Sequence, residues 1–283
     1  MPARVGLVGN PSDGHGGAVL AATVDVWAAE AVATPVPGVV RLRSPTAGVA
    51  EWASPGALVA DAAAHRTDAP HGIVIAALAA LHDHLDGGLP GVEVEWSSRV
   101  PRSVGLAGSS AIAIAVIETV SALADGPDDP RTVAALALDA EVRWMGIAAG
   151  WQDRIVQAHR GAVLVDAGDM SSSIDGRAVP AVRRLWDFTV DAVIGWRADD
   201  GESSGVYHGA LLGRGADGAF ADGMLRLGDL ARRAATTVMG GDLAGLRDLV
   251  DASWRARCDS APLKPHHAQL VEAVRSTGVV ATS

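Results

Sequence analysis

Residues 101–111 read Pro-Arg-Ser-Val-Gly-Leu-Ala-Gly-Ser-Ser-Ala, and an apolar helical pattern begins directly behind them. Gly105 and Gly108 carry no Cβ, so the backbone can turn tightly there and come close to a ligand. Ser109 and Ser110 fall where a helix would start, beside backbone N–H groups that have no partner inside the helix. Such free donors, with the positive end of the helix dipole, favour an anion. The stretch reads as a phosphate cradle; on local pattern alone, a serine-capped loop fits as well. The usual phosphate loops are excluded by spelling. A Walker A loop needs Gly, four residues and then Gly-Lys-Ser/Thr, but Lys264 is the only lysine in the chain. The dinucleotide fingerprint needs Gly-x-Gly-x-x-Gly, and this loop has Gly-x-x-Gly.

Three other places could do chemistry: Arg4 with the turn-rich Gly9-Asn10-Pro11-Ser12-Asp13, Glu141 in a helical stretch, and Asp153 after Gly150. Each has a plain structural reading. Asp153, near a helix start, would serve as an N-terminal cap. Glu141 would pair with Arg143 or Arg154 on the surface. Arg4 would be a strand-edge residue, with a buried bidentate role also open to it. Asn10 and Asp13 suit turn geometry without any ligand.

Taken in order, these pieces resemble the superfamily of galactokinase, homoserine kinase, mevalonate kinase and phosphomevalonate kinase (the GHMP kinases). Its central motif is Pro-x-x-x-Gly-Leu-Gly-Ser-Ser-Ala, which Pro101–Ala111 follows apart from Ala107. Arg4-Val-Gly-Leu-Val-Gly-Asn-Pro-Ser-Asp13, Gly105-Leu-Ala-Gly-Ser-Ser-Ala-Ile112 and Gly150-Trp-Gln-Asp-Arg-Ile-Val-Gln157 are similar to the glucuronokinase branch of sugar-1-kinases. The Asn-Pro-Ser-Asp loop departs from the Gly-Glu-His-x-Asp of galactokinases, which turns the expectation away from galactose.

The resemblance implies ATP and Mg²⁺ as cofactors. It assigns Pro101, Gly105, Leu106, Ala107, Gly108, Ser109, Ser110 and Ala111 to the ATP phosphates, and Ser110 with Glu141 to the metal, a hard ion that prefers oxygen ligands. Asp153 would act as general base toward the acceptor hydroxyl, with Arg4 beside it and the γ-phosphate. Asn10 and Asp13 would contact the acceptor's hydroxyls. An arginine should pair with the carboxylate of a uronic-acid acceptor, and Arg154 is the candidate nearest Asp153. Phosphoryl transfer asks a protein mainly to position reactants and stabilise spread negative charge, and this kit suffices for both.

The implied fold is α+β in two domains. Residues 1–165 would form the N-terminal domain, of the ribosomal protein S5 domain 2 type, holding the phosphate loop. Residues 166–283 would form a ferredoxin-like C-terminal domain. The superfamily carries a third motif, Gly-x-Gly-Gly, near its carboxyl end; Val271–Ser283 resembles the approach to it, so the expectation is either a chain truncated at that motif or a tail beyond Ser283. The expected activity is ATP-dependent phosphorylation of a hydroxyl, the anomeric one by the branch resemblance, on a sugar or a sugar acid such as glucuronate. A non-catalytic sugar- and ATP-binding sensor and a mevalonate- or homoserine-type kinase stay open beside it.

Elements must position these residues, and composition bounds them. The chain has 283 residues, 49% hydrophobic and 20% charged, ample for a sizeable core. A net charge of −10 argues against nucleic-acid and anionic-membrane partners; the resemblance implies a small-molecule sugar or sugar-acid substrate, and monomer and homodimer both stay open. Cys258 is alone and is expected half-buried. The amino terminus lacks a signal-peptide core, and the longest uncharged run, 103–117, is too short to span a bilayer, so a cytoplasmic protein is expected. No zinc site is spelled: His82 and His84 are two apart, His266 and His267 adjacent, all expected at the surface. Gly201-Glu-Ser-Ser-Gly205 spells Gly-x-Ser-x-Gly, but Arg197, Asp199, Asp200 and Glu202 make it a solvated loop rather than a nucleophile elbow.

Periodicity predicts a strand over Arg4–Val8, one or two over Ala18–Val36, and a helix over Gly72–Leu85. Val92–Trp96 alternates as a half-exposed strand. Helices follow over Ala111–Ala124, Arg131–Met145 and 150–159, then a strand over Gly161–Asp166. Residues 39–43 and 51–61 are ambiguous. Asp166–Pro180 is polar and turn-rich, then come a strand over Val190–Trp196 and helices over 219–239, 242–255 and 264–276.

Overall fold

Strand β2 (Ala18–Pro35) runs through one sheet, and its two halves are buried differently. In the computed structural model, which describes residues 1–64, 69–174, 176–185, 188, 192–196, 209, 211, 213–214, 217–260 and 265–278, the first four residues of β2, Ala18–Ala21, are buried on both sides of the sheet. Its partner β6 (Ala162–Asp166) is buried likewise, both strands being near-continuous apolar runs, as strands covered on both faces must be. Val19, Ala21, Val163 and Val165 point to one helical layer; Ala18, Leu20, Ala162 and Leu164 point to another. The second half of β2 pairs with β5 (Val92–Ser98), where Val92, Val94 and Trp96 face inward and the glutamates between them do not. That alternation marks a one-sided sheet.

The remaining strands are β1 (Pro2–Val8), β3 (Val40–Ser44), β4 (Gly48–Trp52), the hairpin β7 (Ser172–Ile174) with β8 (Arg177–Val179), and β9 (Ala181–Leu185). Among the described residues the sheet has seven strands in the order β4-β3-β5-β2-β6-β9, with β1 paired to β2. Only β3 and β5 run parallel. The boundary expected after residue 165 falls inside β6, and β9 returns to pair with β6, so residues on both sides of it share one sheet.

One helical layer is built from α1 (Pro55–Ala64), α2 (Gly72–His84), α3 (Gly108–Ser121), α4 (Pro130–Asp139) and α5 (Gln152–His159). The ambiguous 51–61 stretch thus splits into the end of β4 and the start of α1. The single helix expected over 131–145 breaks after Asp139 into a π turn, Ala140–Trp144. The other layer holds α6 (Gly218–Met239), α7 (Leu243–Ser260) and α8 (Pro265–Arg275). Phe220, Met224, Leu227 and Ala231 of α6 close over Ala18, Leu20 and Leu164. Gly228 makes this approach possible, since a Cβ there would lie 2.7 Å from the Ala18 nitrogen. A bidentate pair, Arg232 Nε and Nη2 on Asp166, each at 2.6 Å, pins α6 to the end of β6.

Several expectations need correction. Cys258 is exposed on α7 rather than half-buried. His82 and His84 are half-buried at the end of α2. Residues 192–196 of the expected Val190–Trp196 strand carry no strand. The Arg197–Gly205 loop, with its Gly-x-Ser-x-Gly spelling, and Lys264 lie outside the described residues. Among the described residues no helix is long and apolar enough to cross a membrane.

Candidate active site

The glycine–serine loop turns on Gly105 and Ala107, left-handed as Ser103 is before them, so Gly108 is not the second such position. Gly105 has φ +79°, but the second is Ala107, at φ 60° and ψ 44°, where a side chain costs about 1–2 kcal/mol. Gly108 is instead the first residue of α3. The Ala107 carbonyl accepts the first helical bond, from the Ala111 N–H at 3.1 Å, so the N–H groups of Gly108, Ser109 and Ser110 precede the helical ladder. The loop is anchored through Leu106, buried with Ala3, Ala29, Val100 and Ala111, whose carbonyl accepts from the Arg4 N–H at 3.2 Å. Pro101, half-buried, begins the approach.

The two serines part company. Ser109 donates its hydroxyl to Glu141 Oε1 at 2.6 Å. Ser110 is fully buried, 2.6 Å from Gln157 Oε1. Gln157 also donates Nε2 to the carbonyls of Pro2 at 2.9 Å and Ala107 at 3.0 Å. It thereby ties α5, β1 and the left-handed alanine together. Gln157 was not among the residues singled out, although its place four residues after Asp153 puts both on one helix face.

Glu141 sits on the π turn, an insertion that commonly marks functional positions, and is 1% exposed. Its partner is Arg154 rather than Arg143, which pairs with Asp83 and Asp139. Arg154 Nη2 forms the ion pair with Glu141, while Nη1 donates to the Gly150 carbonyl at 2.9 Å and lies 3.7 Å from Asp153 Oδ2. Burial, first, and then the neighbouring Arg4 pull the Arg154 guanidinium down to about 9, opposed by Asp13; it stays charged at neutral pH. Both terminal nitrogens of Arg154 are thus engaged within the site, where the expectation had the guanidinium beside a substrate carboxylate.

Asp153, in the first turn of α5, accepts from Arg4 Nη2 through Oδ1, and makes no cap bond to its own helix. The cap comes from outside: Asp13 Oδ2 accepts from the Gln152 N–H at 3.3 Å. Arg4 is 8% exposed at the centre of β1. Three carboxylates (Asp13, Glu141, Asp153) and two guanidiniums (Arg4, Arg154) therefore meet, drawn from four separate chain segments. Asn10 is placed apart. Its side chain lies back over Gly6, its carbonyl accepts from Arg257 Nη1 at 3.0 Å, and it lines a shallow depression with Gly9, Ser253 and Trp254.

Ser109 Oγ and Glu141 Oε1 are oxygen donors of the kind magnesium takes, and among the described residues no group of three or more His, Cys, Asp or Glu could hold a metal. The pair fits an ion that arrives with phosphate ligands of its own, which is how Mg²⁺ is usually held.

Residues 72–161, from α2 through α5, match the family model of the GHMP kinases N terminal domain; the glycine–serine loop, Glu141 and Asp153 all fall inside it. Among solved structures, galactokinase from Lactococcus lactis complexed with galactose superposes with a TM-score of 0.70 at 16% identity, covering 97% of this chain and 78% of that one. Phosphomevalonate kinase from Streptococcus pneumoniae gives 0.69 at 12%, covering 97% and 83%. A D-glycero-D-manno-heptose 1-phosphate kinase from Bacteriodes thetaiotaomicron gives 0.65 at 14%, covering 92% and 78%. No curated protein matches the sequence. The chain has the GHMP-kinase fold.

Proposed function

We propose that this chain, which carries a GHMP-kinase N-terminal domain within a GHMP-kinase fold, is an ATP-dependent kinase for a small-molecule hydroxyl. We place the acceptor among sugars and sugar acids such as glucuronate, with the anomeric hydroxyl as the one phosphorylated. One observation carries the reading. Arg4–Asp153 and Ser109–Glu141, from four distant segments, meet at the start of α3, the end of a helix that suits phosphate.

Each residue then has a task. The N–H groups of Gly108, Ser109 and Ser110 receive phosphate oxygens. Ser109 and Glu141 would hold the Mg²⁺ that neutralises the phosphates when bound. Asp153 orients the acceptor hydroxyl and takes its proton as the oxygen bonds to the γ-phosphorus. The bond from that phosphorus to the β,γ-bridging oxygen breaks, and ADP leaves. Arg4, held against Asp153, neutralises charge on the transferring group. Asp13 contacts Gln152 and stands near Arg154, so it shapes the acceptor side of α5.

The test is ADP release with Mg·ATP across sugars, uronic acids, mevalonate and homoserine, with ³¹P NMR to locate the phosphate. Turnover of a sugar or sugar acid is expected. Nucleotide binding with no turnover of any acceptor would make the protein a sensor; turnover of mevalonate or homoserine alone would move the acceptor class.

A further inference from the structure

Arg154 stands between the two carboxylates that the kinase reading uses. It is 5% exposed, and Glu141 is 1% exposed. With Ser109 on Oε1 and Arg154 on the other oxygen, both edges of the Glu141 carboxylate are taken. Its Nη1 reaches the Gly150 carbonyl and comes within 3.7 Å of Asp153. Its Nε is buried with no partner, a donor left over in the same site. A buried charge cannot leave its partner unless another takes its place, because an isolated one is strongly unfavourable.

We infer that Arg154 is a positioning residue that holds Glu141 in the free protein and yields it only to a nucleotide. This rests on the kinase reading above. While Arg154 occupies the carboxylate, Glu141 already has its cation, and a divalent ion alone finds only a serine hydroxyl and a neutralised carboxylate. Nucleotide phosphates supply the missing exchange. They accept from the planar guanidinium, including its unused Nε, with the geometry that arginine matches best. Glu141 is then released to face the ion that comes with them. Metal and nucleotide binding are thereby coupled through one side chain, and the charged site does not gather stray cations.

The experiment uses Mn²⁺ as the probe, followed by the loss of its free-ion electron paramagnetic resonance signal, on the full chain and on Arg154→Met, each with and without a non-hydrolysable ATP analogue. Without nucleotide, Arg154→Met should bind Mn²⁺ about 10- to 100-fold more tightly than the unaltered chain, the range seen when a group that holds a metal ligand is changed. With the analogue, the unaltered chain should bind Mn²⁺ and Arg154→Met should bind the analogue more weakly. Arg154→Lys, which keeps a cation, should exclude Mn²⁺ again in the absence of nucleotide, a rescue that a purely structural role would not give. If Arg154→Met does not fold by circular dichroism, Arg154→Gln is read in its place. Equal Mn²⁺ affinity in the unaltered and substituted proteins overturns the inference. If the unaltered chain binds neither the analogue nor Mn²⁺ in its presence, the kinase reading fails, while the nucleotide-free comparison still judges Arg154.

Discussion

The Ser109 hydroxyl donates to Glu141 at 2.6 Å, whereas the neighbouring Ser110 hydroxyl is spent on Gln157 at the same distance. On the kinase reading, the serine that would share a metal with Glu141 is the first of the pair, where the motif resemblance assigns the second. Ser109→Ala should raise the Mg²⁺ concentration needed for ADP release and lower kcat/KM about 10- to 100-fold. Ser110→Ala should leave the Mg²⁺ dependence in place and loosen the loop instead. The reverse pattern would return the metal to Ser110.

Asp153 faces Arg4 and makes no cap bond to α5, so the plain reading of it as a helix cap is replaced by Asp13, which takes the Gln152 N–H. Freed of that task, Asp153 is proposed as the base in the kinase reading. Asp153→Asn preserves shape and removes proton acceptance. Its kcat should fall by about 10²- to 10⁴-fold, with nucleotide affinity by calorimetry changed only a few-fold. An unimpaired kcat would reject the role.

Much of this was legible in the chain. The start of α3 was readable because glycine and serine at that spacing mark a turn and then a helix, and β1, α2 and β5 followed from period alone. Glu141 and Asp153 were readable as a set, and Arg154 was one of two partners left open for Glu141. What stayed hidden depends on distant neighbours. Which first-turn serine faces Glu141 is set by the left-handed Ala107 and by Gln157, 50 residues away, and neither constraint has a local signature. The π turn that rotates Glu141 inward looks like ordinary helix in sequence. The register of β9 on β6 is a long-range pairing, invisible behind a polar, turn-rich stretch. Arg154 was expected beside a substrate carboxylate, and the fold pairs it with Glu141.

Gln157 is fully buried, and each of its amide groups is bonded to the loop or to β1. Gln157→Leu keeps the volume but removes the Ser110 hydroxyl's acceptor at 2.6 Å and a donor to each of the Pro2 and Ala107 carbonyls, which should lower unfolding free energy by about 1–3 kcal/mol. Because Ala107 is held in its strained conformation by this amide, the KM for ATP should rise as well. Urea unfolding and ATP titration check the two effects separately. Lost stability with an unchanged KM would leave Gln157 a structural residue only.

Stability should also fall in mild acid, for a reason that lies in the core rather than the site. His71 is 3% exposed, and its Nδ1 accepts from Trp96 Nε1 at 3.0 Å, a bond that only the neutral ring can make. Burial holds it below its ordinary value of 6.5, and burial followed by Arg131 and Arg184 does the same to His159. The unfolded chain therefore takes up protons near 6.5 that the folded chain refuses. The stability is complete above that value and is lost as pH falls toward the lowered ones, at up to about 1.4 kcal/mol per pH unit for each histidine. His71→Gln can still accept from Trp96 and cannot titrate. Its unfolding midpoint should match the unaltered chain near pH 8 to within a few degrees, then decline less steeply between about pH 7 and 5. Thermal unfolding across that range decides the matter: parallel declines in both proteins would show that the proton is taken up elsewhere.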